Sequence, residues 1–124
     1  MVEVMMVTAL LAIIISLATP AYRGFTLRSH RTEAISSLLQ AAGCQERVNA
    51  ITSAYDTRQC LPEMSERYGY RFEPPGQVTP AFRILAEPRA SQSTDTCGAI
   101  ILDQDGYRSV GNGDADTGKC WAGR

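Results

Sequence analysis

Four cysteines are the residues of this chain whose type and spacing point most directly to a chemistry. They are Cys44, Cys60, Cys97 and Cys120. None belongs to a CxxC pair and the chain has one histidine, which disfavours a zinc site of the usual spacing. An even number of cysteines beside an apolar segment favours disulfides formed outside the cytoplasm. Three pairings are open, and we favour the pairing of sequence neighbours, Cys44–Cys60 with Cys97–Cys120.

Catalytic chemistry has little support in the residue pattern. His30 lies between Ser29 and Arg31 with no evident catalytic partner. No nucleophile elbow or comparable motif frames a serine. We therefore predict that the chain is not an enzyme, with no catalytic residues and no cofactor.

The aspartates near the C-terminus offer oxygen ligands for a cation, which is the alternative reading of this stretch. They are Asp103, Asp105, Asp114 and Asp116. The fragment DQDG is similar to the start of a calcium loop, but the closing glutamate of that pattern is absent. The interpretation that we prefer is turn-forming aspartates, and we predict no metal site.

Glu3 and Pro20 lie at the two ends of an apolar run. No charge occurs from Val4 to Tyr22, which is 19 residues, enough to cross a bilayer core of about 30 Å. The acidic start disfavours a secretory signal, which begins with basic residues. A carboxylate deep in a membrane costs about 2–3 kcal/mol, so we expect Glu3 to find a partner from another chain. The simpler alternatives are a headgroup position for Glu3 and a plain kink at Pro20.

The elements that position these residues follow from periodicity. Apolar residues at spacings of three and four predict that the helix continues to about residue 55, with one face on a sheet. That stripe contains Ala34, Leu38, Ala41, Cys44, Val48, Ile51 and Tyr55, while Arg31 is expected to lie off it. Residues 56–69 are predicted to form a loop. Strands are predicted at Tyr68–Phe72, Ala81–Ala86, Gly98–Asp103 and Tyr107–Val110, the last two joined as a hairpin by Asp105-Gly106.

The charge balance gives little reason to expect nucleic-acid binding. Lys plus Arg is 12 and Asp plus Glu is 13, and Arg83, Arg89, Arg108, Lys119 and Arg124 are scattered among acids. DNA is thus a possible but unsupported partner. A basic cluster of Arg23, Arg28 and Arg31 follows the apolar run. Two partners are open for this cluster, phosphate headgroups before assembly or acidic residues of adjacent subunits.

The stretch MVEVMMVTALLAIIISLATPAY resembles the N-terminus of type IV pilins, in which Glu3 and Pro20 fall in register and Ala-Tyr follows the proline. The later stretch DTCGAIILDQDGYRSV…KCW is similar to the C-terminal sheet and cysteine loop of PilE-like minor pilins of the type IVa class. This resemblance implies an α+β pilin fold, with a long N-terminal helix packed on an antiparallel β-sheet of about four strands. Residues 1–22 are then the transmembrane and filament-core segment, and residues 23–124 are the globular head.

The same resemblance implies a function. The subunit would be anchored in the inner membrane before assembly. The pilus assembly machinery would then polymerise it with copies of itself or related pilins. The product would be an extracellular filament for motility, adhesion or DNA uptake. Glu3 would neutralise the N-terminal amine of a neighbouring subunit and set the register. The helix near Ile14–Pro20 would kink or loosen. A minor pilin that primes or decorates the filament, a DNA-uptake receptor among them, and a type II secretion pseudopilin are the alternatives.

Precursors of pilins carry a short basic leader, and cleavage exposes an N-methylated residue. In that register the mature N-terminus would lie two residues before Met1. We therefore expect the sequence to begin inside the mature chain.

Overall fold

A single long helix forms the N-terminal part of the chain. The computed structural model describes all 124 residues. Helix α1 runs over Val2–Thr52, 51 residues, which corresponds to about 76 Å. Residues 2–23 of it are exposed throughout. It is the one helix of the chain that is long and apolar enough to cross a membrane, and none of its apolar window is buried.

Helix α1 passes through Pro20 without a break. Pro20 has no N–H, so the carbonyl of Ser16 loses its helical partner. The helix nevertheless continues through this turn, where the Thr19 hydroxyl donates to the carbonyl of Ile15 at 2.8 Å. Helical geometry therefore persists in the single chain. The loosening near Ile14–Pro20 thus stays a prediction for the assembled filament.

The second half of α1 packs on the rest of the chain through a face that differs in part from the predicted stripe. Its buried residues are Arg31, Ala34, Ile35, Leu38, Ala41 and Gln45. Arg31, predicted to lie off the face, is 4% exposed, whereas Ile51 is 84% exposed. The face ends early because the helix stops at Thr52, where Ser53 adopts a left-handed conformation that turns the chain away.

A four-stranded antiparallel sheet forms the other layer, in the order β2-β4-β5-β6, and a two-stranded sheet pairs β1 with β3. The strands are β1 (Tyr55–Asp56), β2 (Tyr68–Glu73), β3 (Val78–Thr79), β4 (Arg83–Pro88), β5 (Ile100–Asp103) and β6 (Arg108–Val110). The architecture predicted from the sequence is confirmed. Four short elements were not predicted: β1, β3, a 3₁₀ helix (Ala90–Thr94) and α2 (Thr117–Trp121).

The core lies between α1 and the sheet. Alternation along β2 turns Tyr68, Tyr70 and Phe72 inward, as expected for a sheet with one covered face. Phe82 packs edge-on against Phe72, with ring centroids 5.6 Å apart, and against Tyr55 at 4.8 Å. These aromatic contacts join the small sheet to the large one.

The predicted Asp-Gly hairpin joins β5 to β6. Asp103 Oδ1 accepts hydrogen bonds from the backbone N–H groups of Asp105 and Tyr107, at 3.0 and 2.8 Å. Gly106 has a φ of +78°, a conformation that favours glycine. The aspartate thus shapes the turn, as the preferred interpretation stated.

Candidate functional site

The residues predicted to guide assembly lie on the half of α1 that touches nothing else. Glu3 is in the first turn of α1, where a negative charge is favourable next to the free N–H groups of the helix. It makes no ion pair within the chain. Between Glu3 and Pro20, large apolar side chains are exposed all round the helix. Such a surface is stable only in lipid or against other apolar helices.

Two disulfides join the four cysteines in the head. Cys44 on α1 pairs with Cys60 in the following loop, and Cys97 before β5 pairs with Cys120 on α2. Cys97 and Cys120 are 3% and 4% exposed and belong to the hydrophobic core. The second disulfide therefore fixes the C-terminal segment against the sheet.

A buried ion pair connects α1 to the connection between β4 and β5. Arg31 Nε and Nη2 each donate to one oxygen of Asp95 at 2.8 Å, and both side chains are at most 5% exposed. Arg31 Nη1 also donates to the carbonyl of Arg124 at 3.3 Å. We call this set the Arg31 clasp. Sequence reasoning missed it because its partners are 64 and 93 residues away from Arg31, beyond any local pattern.

Gln92, in the 3₁₀ helix, extends the Arg31 clasp. Its Nε2 lies 3.0 Å from the carbonyl of Leu27, from the Tyr68 hydroxyl and from Asp95 Oδ2. Burial and the nearby Asp95 carboxylate raise the pKa of Tyr68 to about 12, so the phenol is neutral and able to hydrogen-bond. The other amide atom, Gln92 Oε1, is buried without a partner in the chain.

A second polar network anchors the far end of α1. Gln45, fully buried, donates to the carbonyls of Asp56 and Gln59 at 2.8 and 2.9 Å and accepts from the Asp56 N–H at 3.0 Å. Hydrogen bonds from Arg58 and Gln59 hold the pKa of the Asp56 carboxyl well below its usual value. Gln45 thus satisfies the backbone of β1 at the point where the chain leaves the helix.

The prediction of a basic cluster past the apolar run was wrong for Arg31, because this residue is buried and paired with Asp95. Arg71 and Arg83 form salt bridges with Glu73 on the solvent-exposed side of the sheet. The arginines that have no carboxylate partner are Arg23, Arg28, Arg47, Arg67, Arg89, Arg108 and Arg124.

One of these unpaired arginines is combined with an aromatic ring at the C-terminal end of the head. The Arg108 guanidinium lies 5.1 Å from the centroid of the Trp121 ring, a cation–π distance. Trp121 Nε1 donates to the carbonyl of Ser109 at 3.1 Å. Lys119 and Arg124 belong to the same C-terminal segment, and Lys119 lies 3.9 Å from Asp116.

The candidate cation ligands do not converge. Asp103 ends β5 and Asp105 lies in the turn that follows it, whereas Asp116 caps α2 by accepting from the Lys119 N–H at 3.0 Å. No three carboxylate, cysteine or histidine side chains come together as a metal site. Asp103 therefore acts in a turn and Asp116 in a helix cap, while the Asp105 carboxylate accepts from the Gln104 side chain.

Comparisons with known proteins agree with this architecture. A family model described as type IV minor pilin ComP, DNA uptake sequence receptor, matches residues 20–101 of the 124-residue chain. A solved structure of a type IV pilin from Shewanella oneidensis is similar, with a TM-score of 0.57 and 23% identity, covering 73% of this chain and 96% of that one. At that identity the similarity shows the fold alone. Among the curated proteins, none matches this chain.

Proposed function

The chain belongs to the family of ComP type IV minor pilins, and on that premise we propose that it is a minor subunit of a type IV pilus whose head binds DNA during uptake. The observation that carries the proposal is the family match over residues 20–101, which includes most of the head. Family and fold are those of a structural subunit, and we infer that the chain has no catalytic activity. The role of a main pilus subunit is compatible with the same fold.

The mechanism that we propose begins in the inner membrane. Residues 1–22 anchor the subunit there, with the head, residues 23–124, outside the cytoplasm. The assembly machinery then moves the subunit laterally into a filament of other pilins. The exposed apolar surface of α1 supports this step, because its burial against neighbouring helices is favourable by the hydrophobic effect. The filament is extracellular, on the cell surface.

Glu3 sets the axial register in this proposal. It is the one charge among the first 22 residues and has no partner in its own chain. Within an apolar filament core an unpaired carboxylate is penalised and a paired one is favoured. One offset between helices, in which Glu3 meets the N-terminal amine of a neighbour, is therefore preferred over others.

The DNA-binding part of the proposal has support from the C-terminal end of the head. Arg108 has no carboxylate partner and lies over Trp121. A guanidinium contacts phosphate well, and the cation–π contact with the Trp121 ring orients this one. The nearby aspartates keep this surface from being strongly basic. We therefore expect weak, salt-sensitive binding rather than bulk attraction.

A binding experiment on the full chain tests the DNA proposal. The chain is held in nanodiscs of zwitterionic phosphatidylcholine, and duplex DNA is titrated at several salt concentrations. We expect Arg108→Gln to weaken binding and to lower the salt slope by about one charge. The matched control is Arg47→Gln, an exposed arginine on α1, with binding close to that of the parent. No detectable binding of the parent at low salt would rule out the receptor role.

The assignment as a minor subunit has a separate test. Filaments are sheared from cells, imaged by electron microscopy and quantified by mass spectrometry. A small fraction of this chain in the filament mass is expected for a minor pilin. A dominant fraction would instead make it the main structural subunit.

A further inference from the structure

A groove of about 510 Å³ lies where α1 leaves the apolar segment and first meets the head. Its walls include Arg23 and His30 of α1, Arg67 just before β2, and Gln92 of the 3₁₀ helix. No carboxylate is among the nine residues that line it. The groove is therefore cationic and suits an anionic ligand.

The groove lies next to the predicted membrane boundary. The uncharged run Val4–Tyr22 has 19 residues, about 28 Å of helix, which matches the hydrocarbon core of a bilayer. Arg23 is the first charged residue after this run. Tyr22 and Phe25 beside it are 71% and 69% exposed, and aromatic residues at such positions favour the headgroup region.

Two arginines reach the groove from different elements. Arg23 comes from α1, and Arg67 comes from the head, where its Nη1 donates to Ser91 Oγ. The backbone also holds Arg67 in place, since its carbonyl accepts from the Arg89 N–H at 2.8 Å. Neither Arg23 nor Arg67 has a carboxylate partner. Their charges are thus available to a phosphate.

Gln92 contributes a hydrogen-bond acceptor, Oε1, to which no group of the chain donates. Two of the contacts of Nε2 are to obligate acceptors, the carbonyl of Leu27 and the carboxylate of Asp95, so the amide orientation is fixed. Oε1 is the only buried side-chain oxygen or nitrogen of the chain without a partner. A buried acceptor without a donor is costly, and because Gln92 lines the groove, a ligand hydroxyl would supply that donor.

We propose that this groove binds the headgroup of an anionic phospholipid, with the phosphodiester between Arg23 and Arg67 and a headgroup hydroxyl donating to Gln92 Oε1. Phosphatidylglycerol has both groups. The proposal rests on the proposed function in one respect, that residues 1–22 cross a membrane. A nucleic-acid phosphate has similar chemistry, but the position of the groove beside the apolar segment favours lipid.

Native mass spectrometry of the full chain, released from detergent micelles, tests the proposal. Short-chain phosphatidylglycerol and phosphatidylmethanol are added separately. Phosphatidylmethanol carries the same phosphodiester but no hydroxyl donor, so it isolates the contribution of Gln92. We expect one phosphatidylglycerol per chain, and retention of phosphatidylmethanol several-fold weaker, since one hydrogen bond is lost.

Three variants distinguish lipid binding in the groove from nonspecific attraction to positive charge. Arg67→Gln is expected to weaken phosphatidylglycerol retention about tenfold, as the loss of a charge-assisted hydrogen bond. Thr94→Trp keeps the charge but fills the groove from an exposed lining position, and it is expected to abolish retention. The matched control Arg47→Gln also removes one arginine charge, but on α1 outside the groove lining, and it is expected to leave retention unchanged. Thermal melting of each variant checks the fold.

Several outcomes would overturn the proposal. Equal weakening by Arg67→Gln and Arg47→Gln would mean nonspecific charge attraction. Displacement of the lipid by equimolar free glycerol phosphate would mean that the ligand is a soluble anion. Displacement by a short DNA duplex, with loss of both ligands in Arg67→Gln, would make the groove a nucleic-acid site. The proposed function fails separately, if the parent chain binds no DNA in nanodiscs or does not enter filaments.

Discussion

Arg31 and Asp95 form a two-pronged ion pair, with both N–O distances at 2.8 Å, at the first buried position of α1. The pair lies in the protein interior, so its charges are poorly screened by water. Asp95 also accepts the backbone N–H of Cys97 at 3.1 Å. One carboxylate therefore links the helix, the 3₁₀ segment and the C-terminal disulfide.

Removing one partner of this pair is expected to be strongly destabilising. Arg31→Met leaves a buried, unpaired carboxylate, and we expect a loss of about 3–5 kcal/mol in the free energy of unfolding. The double variant Arg31→Met with Asp95→Leu is expected to lose less than the single variant, because no charge is then left buried. Urea unfolding of the chain in micelles, followed by circular dichroism, measures both.

The control for this prediction is Arg28→Met, which removes an exposed arginine from the turn before Arg31. An effect within about 0.5 kcal/mol is expected for such a surface change. If the double variant is as unstable as Arg31→Met, the geometry of the Arg31 clasp is stabilising in itself and the argument from the unpaired charge is wrong.

The two disulfides are expected to differ in their contributions. Chain entropy alone predicts about 3 kcal/mol for each, since the loops span 16 and 23 residues. Cys97 and Cys120 are also core residues, so replacing both by alanine adds a loss of packing. We expect this double variant to unfold at a lower urea concentration than the Cys44→Ala, Cys60→Ala variant. The reverse order would show that the helix-to-loop bridge is the more important one.

Glu3→Ala is expected to leave the subunit in the membrane but to reduce its entry into filaments. The loss should be about tenfold or more, corresponding to a buried charge pair worth at least 1.4 kcal/mol. Immunoblots of membrane and sheared-filament fractions give the ratio. Glu33→Gln, an exposed carboxylate further along α1, is the control and should assemble normally. Normal filament entry of Glu3→Ala would refute the register proposal.

Alkaline unfolding is expected to depend on Tyr68. Burial raises its pKa from 10.0 to about 12, so the folded state favours the neutral phenol. This contribution to stability is complete below pH 10 and is lost as the pH rises through about 12. Tyr68→Phe should therefore show a shallower loss of stability over that range, measured as urea midpoints at stepped pH.

The exposed Tyr107 supplies the control for the alkaline prediction, and Tyr107→Phe is expected to keep the slope of the parent chain. A smaller slope persists in Tyr68→Phe, because burial and the hydrogen bond to Glu46 also raise the pKa of Tyr55. If Tyr68→Phe and the parent lose stability with pH at the same slope, folding does not raise the pKa of Tyr68 and the prediction is wrong.

The long helix, the four strands and the Asp-Gly hairpin could be predicted because each depends on local periodicity or turn chemistry. The burial of Arg31 could not be predicted, because it depends on an ion pair with Asp95, 64 residues away. Ile51 was misjudged for a related reason. The helix ends one residue after Ile51. An apolar stripe on a helix predicts burial only where another element covers that side of the helix. The groove joins residues from α1, the 56–69 segment and the 3₁₀ helix, so only the fold brings them together.

The Arg31 clasp also has a mechanical consequence. The thirty residues of the chain before Arg31 contain no buried side chain. Tension along this segment therefore enters the head through the hydrogen bond from Gln92 to the carbonyl of Leu27 and through the buried guanidinium of Arg31. There it divides between the carboxylate of Asp95 and the carbonyl of Arg124. Both receiving segments flank the Cys97–Cys120 bridge, a covalent link. A subunit under traction would therefore pass the force into a cross-linked ring rather than into the edge of its sheet.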